Sequence, residues 1–366
     1  MVERLLAKEK VAGSTPVCRS KNIQPRLGFF VASTYTLLMF QRLPLIIGLI
    51  FLPLIALWAG FSVSPNIVTE PSQSSALTAN PTIALSATPS SNSVKITFVG
   101  DIMLAREVEK AIIANGVDYP FAAIKNVWQD SDLVIGNFED TVRPVYRDEG
   151  SVLAFDTQPE HITGLKNAGF TDLSMANNHE NDWGPQVTKD TRAVLEALGL
   201  TTFGDPVESQ LHIAHVTKNG ITFSLIGFHA FIEDTTVIAT AIKAEKAAGN
   251  FVIVMPHWGN EYQLTASPAQ IDAATMFVNA GADLIVGAHP HVIKPISTIA
   301  NTPVAYSLGN FIFDQDWSVA TTQGLMLQIT IDDKNITIQP VAINIQNRQA
   351  SLGTFPVQAA QTWERK

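Results

Sequence analysis

The chain has 366 residues, of which 46% are hydrophobic, and its formal net charge at pH 7 is −9. This length and apolar fraction suffice for one large domain or two modest ones. An acidic chain lacks the surplus of Lys and Arg that neutralises phosphates, so nucleic acid is excluded as a partner. Cys18 is the single cysteine, so the residues after it form no disulfides among themselves and offer no thiolate ligand.

The N-terminal part of the chain predicts a membrane anchor. Residues 43–63 contain no charged side chain across 21 positions, and about 20 apolar residues are enough to cross a bilayer. Residues 1–42 carry seven Lys or Arg against two Glu, which predicts a cytoplasmic N-terminus and an extracytoplasmic remainder. A cleaved signal peptide is the alternative. We favour a single-pass anchor, because the apolar core of a signal peptide is normally only about 7–15 residues long.

Residues 64–93 are rich in Ser, Thr, Pro, Ala and Asn, with Glu70 as their only charge, and this composition predicts a flexible linker. The folded domain is expected at 94–346, followed by a C-terminal tail at 347–366. Strands are predicted in chain order at 95–100, 132–136, 172–176, 211–217, 221–228, 251–256 and 283–288, and helices at 104–115, 159–169, 185–199, 236–249 and 268–281. Alternating strands and helices with a strand-rich end indicate an α/β or α+β domain with two sheets.

Polar side chains follow the first two strands of this domain. Asp101 comes directly after the strand 95–100, and Asn137 and Glu139 follow the strand 132–136. Ligands of α/β sheets bind at the carboxyl ends of strands. Asn137 and Glu139 are two apart, so on an extended backbone they point to the same side and suit a cation. The structural alternatives are a helix N-cap for Asp101 and a polar turn for the other two.

Histidines follow the later strands. Asn178 and His179 come after 172–176, His257 comes after 251–256, and His289 and His291 come after 283–288. An extended backbone would send the imidazoles of His289 and His291 in the same direction. The structural alternatives are an Asn-rich turn for the first pair and a core position for His257.

Carboxylate, amide and imidazole groups together predict one or two divalent transition ions, with Mn, Fe or Zn preferred over Ca or Mg. His229 either lines the site or fills the core, with the core preferred, and Asp182 is assigned to the entry of the helix 185–199. The sequence contains no Gly-x-Ser-x-Gly elbow, P-loop or dinucleotide fingerprint.

Six blocks in order resemble the motif series of the CapA/PgsA family of bacterial poly-γ-glutamate capsule synthesis proteins. These blocks are GDIML, NFED, ANNHENDWG, PHWGNEY, GAHPHV and YSLGNFIFD, and the resemblance covers about residues 94–315. It implies a four-layer sandwich of the calcineurin-like metallophosphoesterase type, preceded by one transmembrane helix. It implies catalytic positions at His179, which would protonate a leaving group, and Asn137. The metal ligands that it implies are Asp101, Glu139, Asn178, His257, His289 and His291.

Two positions depart from the metallophosphoesterase pattern. Asp101 is followed by Ile102 and Met103, where those enzymes usually have Asp-x-His, and the block Asn137-x-Glu139 stands where they have Gly-Asp. One metal site is therefore expected to be altered.

Two functional hypotheses follow. The first is a membrane-anchored extracytoplasmic metal-dependent hydrolase-like protein of capsule or envelope polymer synthesis, acting on a phosphoester or an anionic polymer. The alternative is a non-catalytic subunit of a membrane polymer synthase or exporter, in which the metal would only bind polymer carboxylates.

Overall fold

In the computed structural model, the described residues are 93–143, 153–205 and 210–366. The predicted cytoplasmic segment (1–42), the anchor (43–63) and all but the last residue of the linker (64–93) lie outside them. Within the described ranges, no helix is both long and apolar enough to cross a bilayer.

The described residues form a mixed α/β structure. The strands are β1 Val94–Ile102, β2 Leu133–Phe138, β3 Asp172–Ser174, β4 Thr201–Phe203, β5 Ala214–Lys218, β6 Ile221–His229, β7 Phe251–His257, β8 Leu284–Val286, β9 Ile296–Ile299, β10 Thr302–Ala305, β11 Asn310–Ile312, β12 Gln323–Ile331, β13 Asn335–Gln346, β14 Gln349–Leu352 and β15 Gln361–Glu364. The helices are α1 Arg106–Asn115, α2 Thr163–Ala168, α3 Pro185–Ala197, α4 Thr235–Ala247 and α5 Pro268–Ala280. Each predicted element has a counterpart here, with ends shifted by a few residues.

The strands form two sheets. The first has the order β14-β13-β12-β1-β2-β3-β4, with β11 beside β1 and β15 beside β13. The second has the order β5-β6-β7-β8-β10-β9. Strands β1 to β4 are parallel neighbours, and so are β6, β7 and β8. In each sheet the loops after these strands therefore leave from one edge, where side chains from several strands can meet.

Apolar side chains cover both faces of each sheet. Phe98 of β1 and Ile253 of β7 belong to one cluster that contains residues of both sheets. Val254, the next residue of β7, lies in a second cluster with Phe277 of α5. Val99, the next residue of β1, lies in a third cluster with residues of α1, α2 and α3. This period of two is that of strands buried on both faces, and it holds the strand ends rigidly.

Two stretches of the region 347–366, which was expected to form a tail, are strands of the first sheet. Strand β14 pairs with the end of β13, and β15 pairs with its beginning, where Ile336 is opposite Trp363. The Trp363 side chain is buried. A domain boundary at residue 346, as predicted, would separate β13 from its neighbouring strands β14 and β15. Each of these short strands buries one side chain, Ala350 in β14 and Trp363 in β15, so neither shows the apolar alternation by which a strand is predicted from sequence.

Candidate metal centre

A carboxylate pair lies at the ends of β1 and β2. Asp101 is in register with Asn137 on the parallel neighbouring strand, and Glu139 follows β2 directly. The Asn137 amide nitrogen donates to Asp101 Oδ1 at 2.9 Å and to Glu139 Oε2 at 3.3 Å. All three side chains are buried. Asn137 and Glu139 point to the same side, as expected, and the amide lies between two carboxylates that would otherwise repel each other.

Three histidines of the second sheet face this pair. His257 ends β7, and His289 and His291 follow β8. His291 Nδ1 lies 3.4 Å from Asp101 Oδ2, and His291 Nε2 lies 3.6 Å from Glu139 Oε1. The ring centroids of His257 and His289 are 4.6 Å apart. The structure therefore brings together residues that are far apart in the sequence and belong to different sheets.

The expectation of an extended backbone at His289 and His291 is wrong, because their φ angles are +93° and +56°. Left-handed backbone is strained for residues other than Gly. Hydrogen bonds hold this turn. The His289 amide donates to both carboxylate oxygens of Asp101, at 3.3 and 3.2 Å, and the Tyr262 amide donates to the Pro290 carbonyl at 2.8 Å. The two imidazoles reach the same centre because of the turn, and not because of strand periodicity.

The loop after β3 adds an amide and a further imidazole. Asn178 Oδ1 lies 2.7 Å from His257 Nε2, so this loop of the first sheet contacts the second. Asn177 has a structural role, since its amide donates to the backbone carbonyl that ends β2 at 2.8 Å. His179 Nε2 lies 3.9 Å from Glu139 Oε1. Both predicted residues of this loop therefore lie at the centre.

The orientation of His179 depends on two neighbours. Asp182 Oδ2 lies 2.8 Å from His179 Nδ1 and also accepts from the Phe155 amide at 2.7 Å. The Phe155 ring stacks on the imidazole, with centroids 3.7 Å apart and planes at 17°. Asp182 was expected only to begin a helix. The sequence signal that could have identified this role of Asp182 is an acidic residue three positions after a histidine.

His291 has a buried partner on its far side. Asn310 Oδ1 lies 2.9 Å from His291 Nδ1, and the Asn310 amide nitrogen donates to Gln315 Oε1 at 3.1 Å and to the Thr321 carbonyl at 3.0 Å. These two acceptors identify the amide nitrogen, so Oδ1 accepts the His291 Nδ1 proton. His291 Nε2 is then the nitrogen that can bind a metal, and Asn310 orients the ring through the other nitrogen.

Donor atoms of the site form three groups in which all atoms lie within 4.8 Å of one another. They are Asp101–Glu139–His291, Glu139–His257–His289 and Glu261–His289–His291. Glu139 Oε1 and His289 Nδ1 are buried and have no hydrogen-bond partner among the described residues. Buried polar atoms are normally satisfied, and carboxylate with imidazole suits divalent transition ions. The side chains present therefore fit a metal site. Glu261 was not predicted, because it follows no strand directly.

Burial and neighbouring charges set the protonation of the site. Burial lowers the pKa of His257 well below its ordinary value, and the nearby imidazoles act in the same direction. Burial likewise lowers the pKa of His289 to about 4. Burial also acts to lower the pKa of His291, but the carboxylates of Glu139 and Asp101 outweigh it and raise this pKa to about 9. Neutral imidazole is the form that binds metals, so burial favours the metal-binding form of His257 and His289, whereas the two carboxylates oppose it in His291.

His229 lies beside the site, which was the less favoured of the two positions expected for it. It ends β6, in register with His257 on β7, and the two ring centroids are 6.1 Å apart. Both ring nitrogens are buried without a partner among the described residues, and burial lowers the pKa of His229 to about 4. The sequence contains a signal for this position, because His229 ends a strand as His257 does.

The family model described as "Bacterial capsule synthesis protein PGA_cap" matches residues 95–315, a range that includes every predicted ligand. The chain belongs to this family. "Capsule biosynthesis protein CapA" of Bacillus anthracis is 33% identical over 276 residues, which cover 69% of this chain and 67% of the relative. "PGA biosynthesis protein CapA" of Bacillus subtilis (strain 168) is 31% identical over 299 residues, which cover 76% of this chain and 73% of the relative. The resemblance inferred from the six sequence blocks is thereby confirmed.

Among solved structures, a hypothetical protein from Thermus thermophilus aligns with a TM-score of 0.42 and 15% identity, over 75% of this chain and 100% of that chain.

Proposed function

We propose that this protein is a membrane-anchored, extracytoplasmic, metal-dependent hydrolase-like protein of poly-γ-glutamate capsule or cell-envelope polymer synthesis. Its membership in a family of bacterial capsule synthesis proteins supports a role in the synthesis of such a polymer. One observation supports the proposed metal-dependent chemistry. Glu139, His257 and His289 offer donor atoms within 4.8 Å of one another, and Glu139 and His289 each keep a buried atom without a partner among the described residues.

The metal would be held at the meeting point of the two sheets. The residues proposed to hold it are Asp101, Glu139, Asn178, His257, His289 and His291. Glu139 belongs to two of the donor groups, which suits either one ion or two. When bound, a Mn, Fe or Zn ion supplies a Lewis acid that polarises a phosphoryl or carbonyl oxygen. The role that we propose for Asn137 is to hold Asp101 and Glu139 in place, since its amide donates to both.

His179 would protonate the leaving group through Nε2. Its Nδ1 is paired with Asp182 Oδ2 at 2.8 Å, which leaves Nε2 directed at the site, 3.9 Å from Glu139 Oε1. The His179 side chain is 15% exposed, whereas Glu139 is fully buried, so a substrate oxygen can reach the imidazole. A positioned general acid contributes about 10²–10⁴-fold to a rate.

The remaining parts of the proposal concern architecture and location. The three apolar clusters support a four-layer order of helices, sheet, sheet and helices, as expected of a metallophosphoesterase-type domain. Residues 43–63 would anchor the chain in the cell membrane with residues 1–42 in the cytoplasm. The partners would be subunits of a polymer synthase or exporter, and the substrate would be an anionic polymer or a phosphoester.

Metal content tests this proposal. The full chain, purified, stripped with a chelator and incubated with Mn²⁺ or Zn²⁺, should retain at least one ion per molecule and hydrolyse bis-p-nitrophenyl phosphate. His289→Ala should lose both properties. His215→Ala is the matched control, because His215 is exposed on β5 and pairs with Glu245. Folded wild-type protein that retains no metal would overturn the proposal.

A non-catalytic role is the second candidate, and the name of a relative favours it. A Mycobacterium tuberculosis protein named "Probable polyglutamine synthesis accessory protein" is 23% identical over 51% of this chain. In this role the metal would serve only to bind polymer carboxylates. Polymer export at the wild-type level by cells that carry His179→Ala, which removes the proposed general acid but keeps every proposed metal ligand, would favour this candidate over hydrolysis.

A further inference from the structure

A pocket of about 730 Å³ opens beside the metal centre, between the loops that follow β6 and β7. Phe231 and Trp258 line it. Phe231 also packs on His289, with ring centroids 4.8 Å apart. The pocket therefore shares a wall with the metal centre, although none of the predicted metal ligands lines it.

Gln270 belongs to the lining of this pocket, and its side-chain amide has one fixed orientation. The residue lines the pocket and is only 2% exposed. Its Oε1 accepts from the Ser267 amide at 3.0 Å and from Lys294 Nζ at 2.9 Å. Its Nε2 is buried and has no partner within the described ranges. Reversing the amide would place its NH₂ group against two donors, so the orientation is determined.

Two surrounding residues keep this amide in place. Lys294 is 1% exposed, and its ammonium holds Gln270 Oε1 from the side of the core. Gly259 packs against the amide so closely that a Cβ there would lie 2.6 Å from Gln270 Cδ. Leaving a buried donor without an acceptor has a cost in stability. A ligand oxygen in the pocket would remove this cost.

Carboxylates line another part of the same pocket. Glu233 and Asp234 stand at the start of α4. Asp234 caps this helix by accepting from the Thr236 amide at 2.8 Å, and Glu233 accepts from the backbone amide of His229. The rest of the lining is largely apolar and includes Phe228. One pocket thus combines an amide donor, which suits a carboxylate, with acidic groups, which suit an ammonium.

We propose that this pocket binds an α-amino-acid head group, with Gln270 donating to its carboxylate and with Glu233 and Asp234 facing its ammonium. The inference rests on the proposed function in one respect, which is the identity of the ligand. In a γ-linked glutamate chain, only the amino-terminal residue carries a free α-ammonium and a free α-carboxylate on the same carbon. The pocket would therefore recognise the amino end of the polymer and direct the following residues past Phe231 to the metal centre.

Binding by the metal-free full chain tests this inference. The probe is γ-linked triglutamate with a free amino terminus, titrated by calorimetry. Two modified probes provide the comparison. The N-acetylated form lacks the ammonium, and α-linked triglutamate lacks the free α-carboxylate on its first residue. Each should bind the wild-type chain at least tenfold more weakly than the first probe.

Gln270→Glu is the matching variant, because it removes the donor but keeps an acceptor for Ser267 and Lys294. Its melting temperature should equal or exceed that of the wild type, since Glu at this position can form an ion pair with Lys294. It should bind γ-linked triglutamate at least tenfold more weakly. Gln186→Glu is the control, because Gln186 is an exposed residue in the first turn of α3, and it should bind as the wild type does.

Absence of binding, equal binding of the acetylated probe or unchanged binding by Gln270→Glu would overturn the inference. Because the titration contains no metal, its outcome is independent of hydrolysis. A discriminating pocket in a protein that retains no metal would refute only the hydrolase proposal. A protein that retains metal without discriminating among the probes would refute only the pocket assignment.

Discussion

The burial of Asp172 should make the stability of the fold depend on pH. Asp172 begins β3, the strand that leads to Asn178 and His179, and it lies between β2 and β4. Its side chain is buried and accepts a hydrogen bond from Thr171 Oγ1 at 2.6 Å. Burial outweighs the hydrogen bonds and raises the pKa of Asp172 from 3.8 to about 6. The carboxylate is therefore an unfavourable charge in the folded protein at neutral pH.

The change of the free energy of unfolding with pH follows from the difference between the pKa values of Asp172 in the folded and unfolded states. The pKa is higher in the folded state, so the contribution of Asp172 to stability is fully present below about pH 3.8 and is lost as the pH rises through 6. Each pKa unit corresponds to about 1.36 kcal/mol, so the whole loss is about 3 kcal/mol. Asp172→Asn cannot ionise. The difference in unfolding free energy, mutant minus wild type, should therefore increase by about 2 kcal/mol between pH 4.5 and pH 7.5.

Urea unfolding followed by tryptophan fluorescence at these two pH values measures this difference. Asp130→Asn is the control, because Asp130 is exposed and its difference from the wild type should change little with pH. The new amide group makes its own contribution to the free energy of unfolding, and this contribution is the same at both pH values. Only the change between the two pH values therefore reports the ionisation of Asp172. If Asp172→Asn differs from the wild type by the same amount at pH 4.5 and at pH 7.5, the reasoning from burial is refuted.

Three further predictions concern the site. Asp182→Asn should lower kcat at least tenfold with unchanged metal content, because His179 loses the carboxylate that orients it; an unchanged kcat would contradict this role. Asn310→Ala should weaken metal binding by about 10–100-fold in a competition titration, whereas unchanged affinity would show that His291 needs no support. Gly100→Ala should lower both the free energy of unfolding and metal retention, because a Cβ would lie 1.8 Å from the Gly309 carbonyl oxygen; wild-type urea unfolding would contradict the close packing of β1 on the residue before β11.

Element positions could be predicted well where apolar periodicity and helix signals agree. Helix α5 shows this, because Pro268 stands at its first turn, Ser267 and Gln270 form a capping box, and Gly281 ends it in a left-handed conformation. The position of polar residues at the carboxyl ends of strands also predicted which side chains lie together at one centre. It works because the carboxyl ends of parallel strands share an edge of the sheet.

The remaining features depend on tertiary contacts that periodicity does not encode. The turn at His289 and His291 forms because the His289 amide binds Asp101, which is far away in the sequence. The proximity of Glu261 to these histidines depends on where the loop after β7 folds. For His229 the core was preferred to the site, because a single histidine after an apolar run is more often a buried core residue.

Anomalous scattering shows whether a metal ion binds among Glu139, His257 and His289. Crystals of the protein loaded with Mn²⁺ or Zn²⁺ should show an anomalous difference peak about 2.0–2.2 Å from donor atoms of Glu139, His257 and His289. This peak should be present in the wild type and absent from His289→Ala. A well-ordered wild-type crystal with no peak among these side chains, or with its peak elsewhere, would mean that they do not form a metal site.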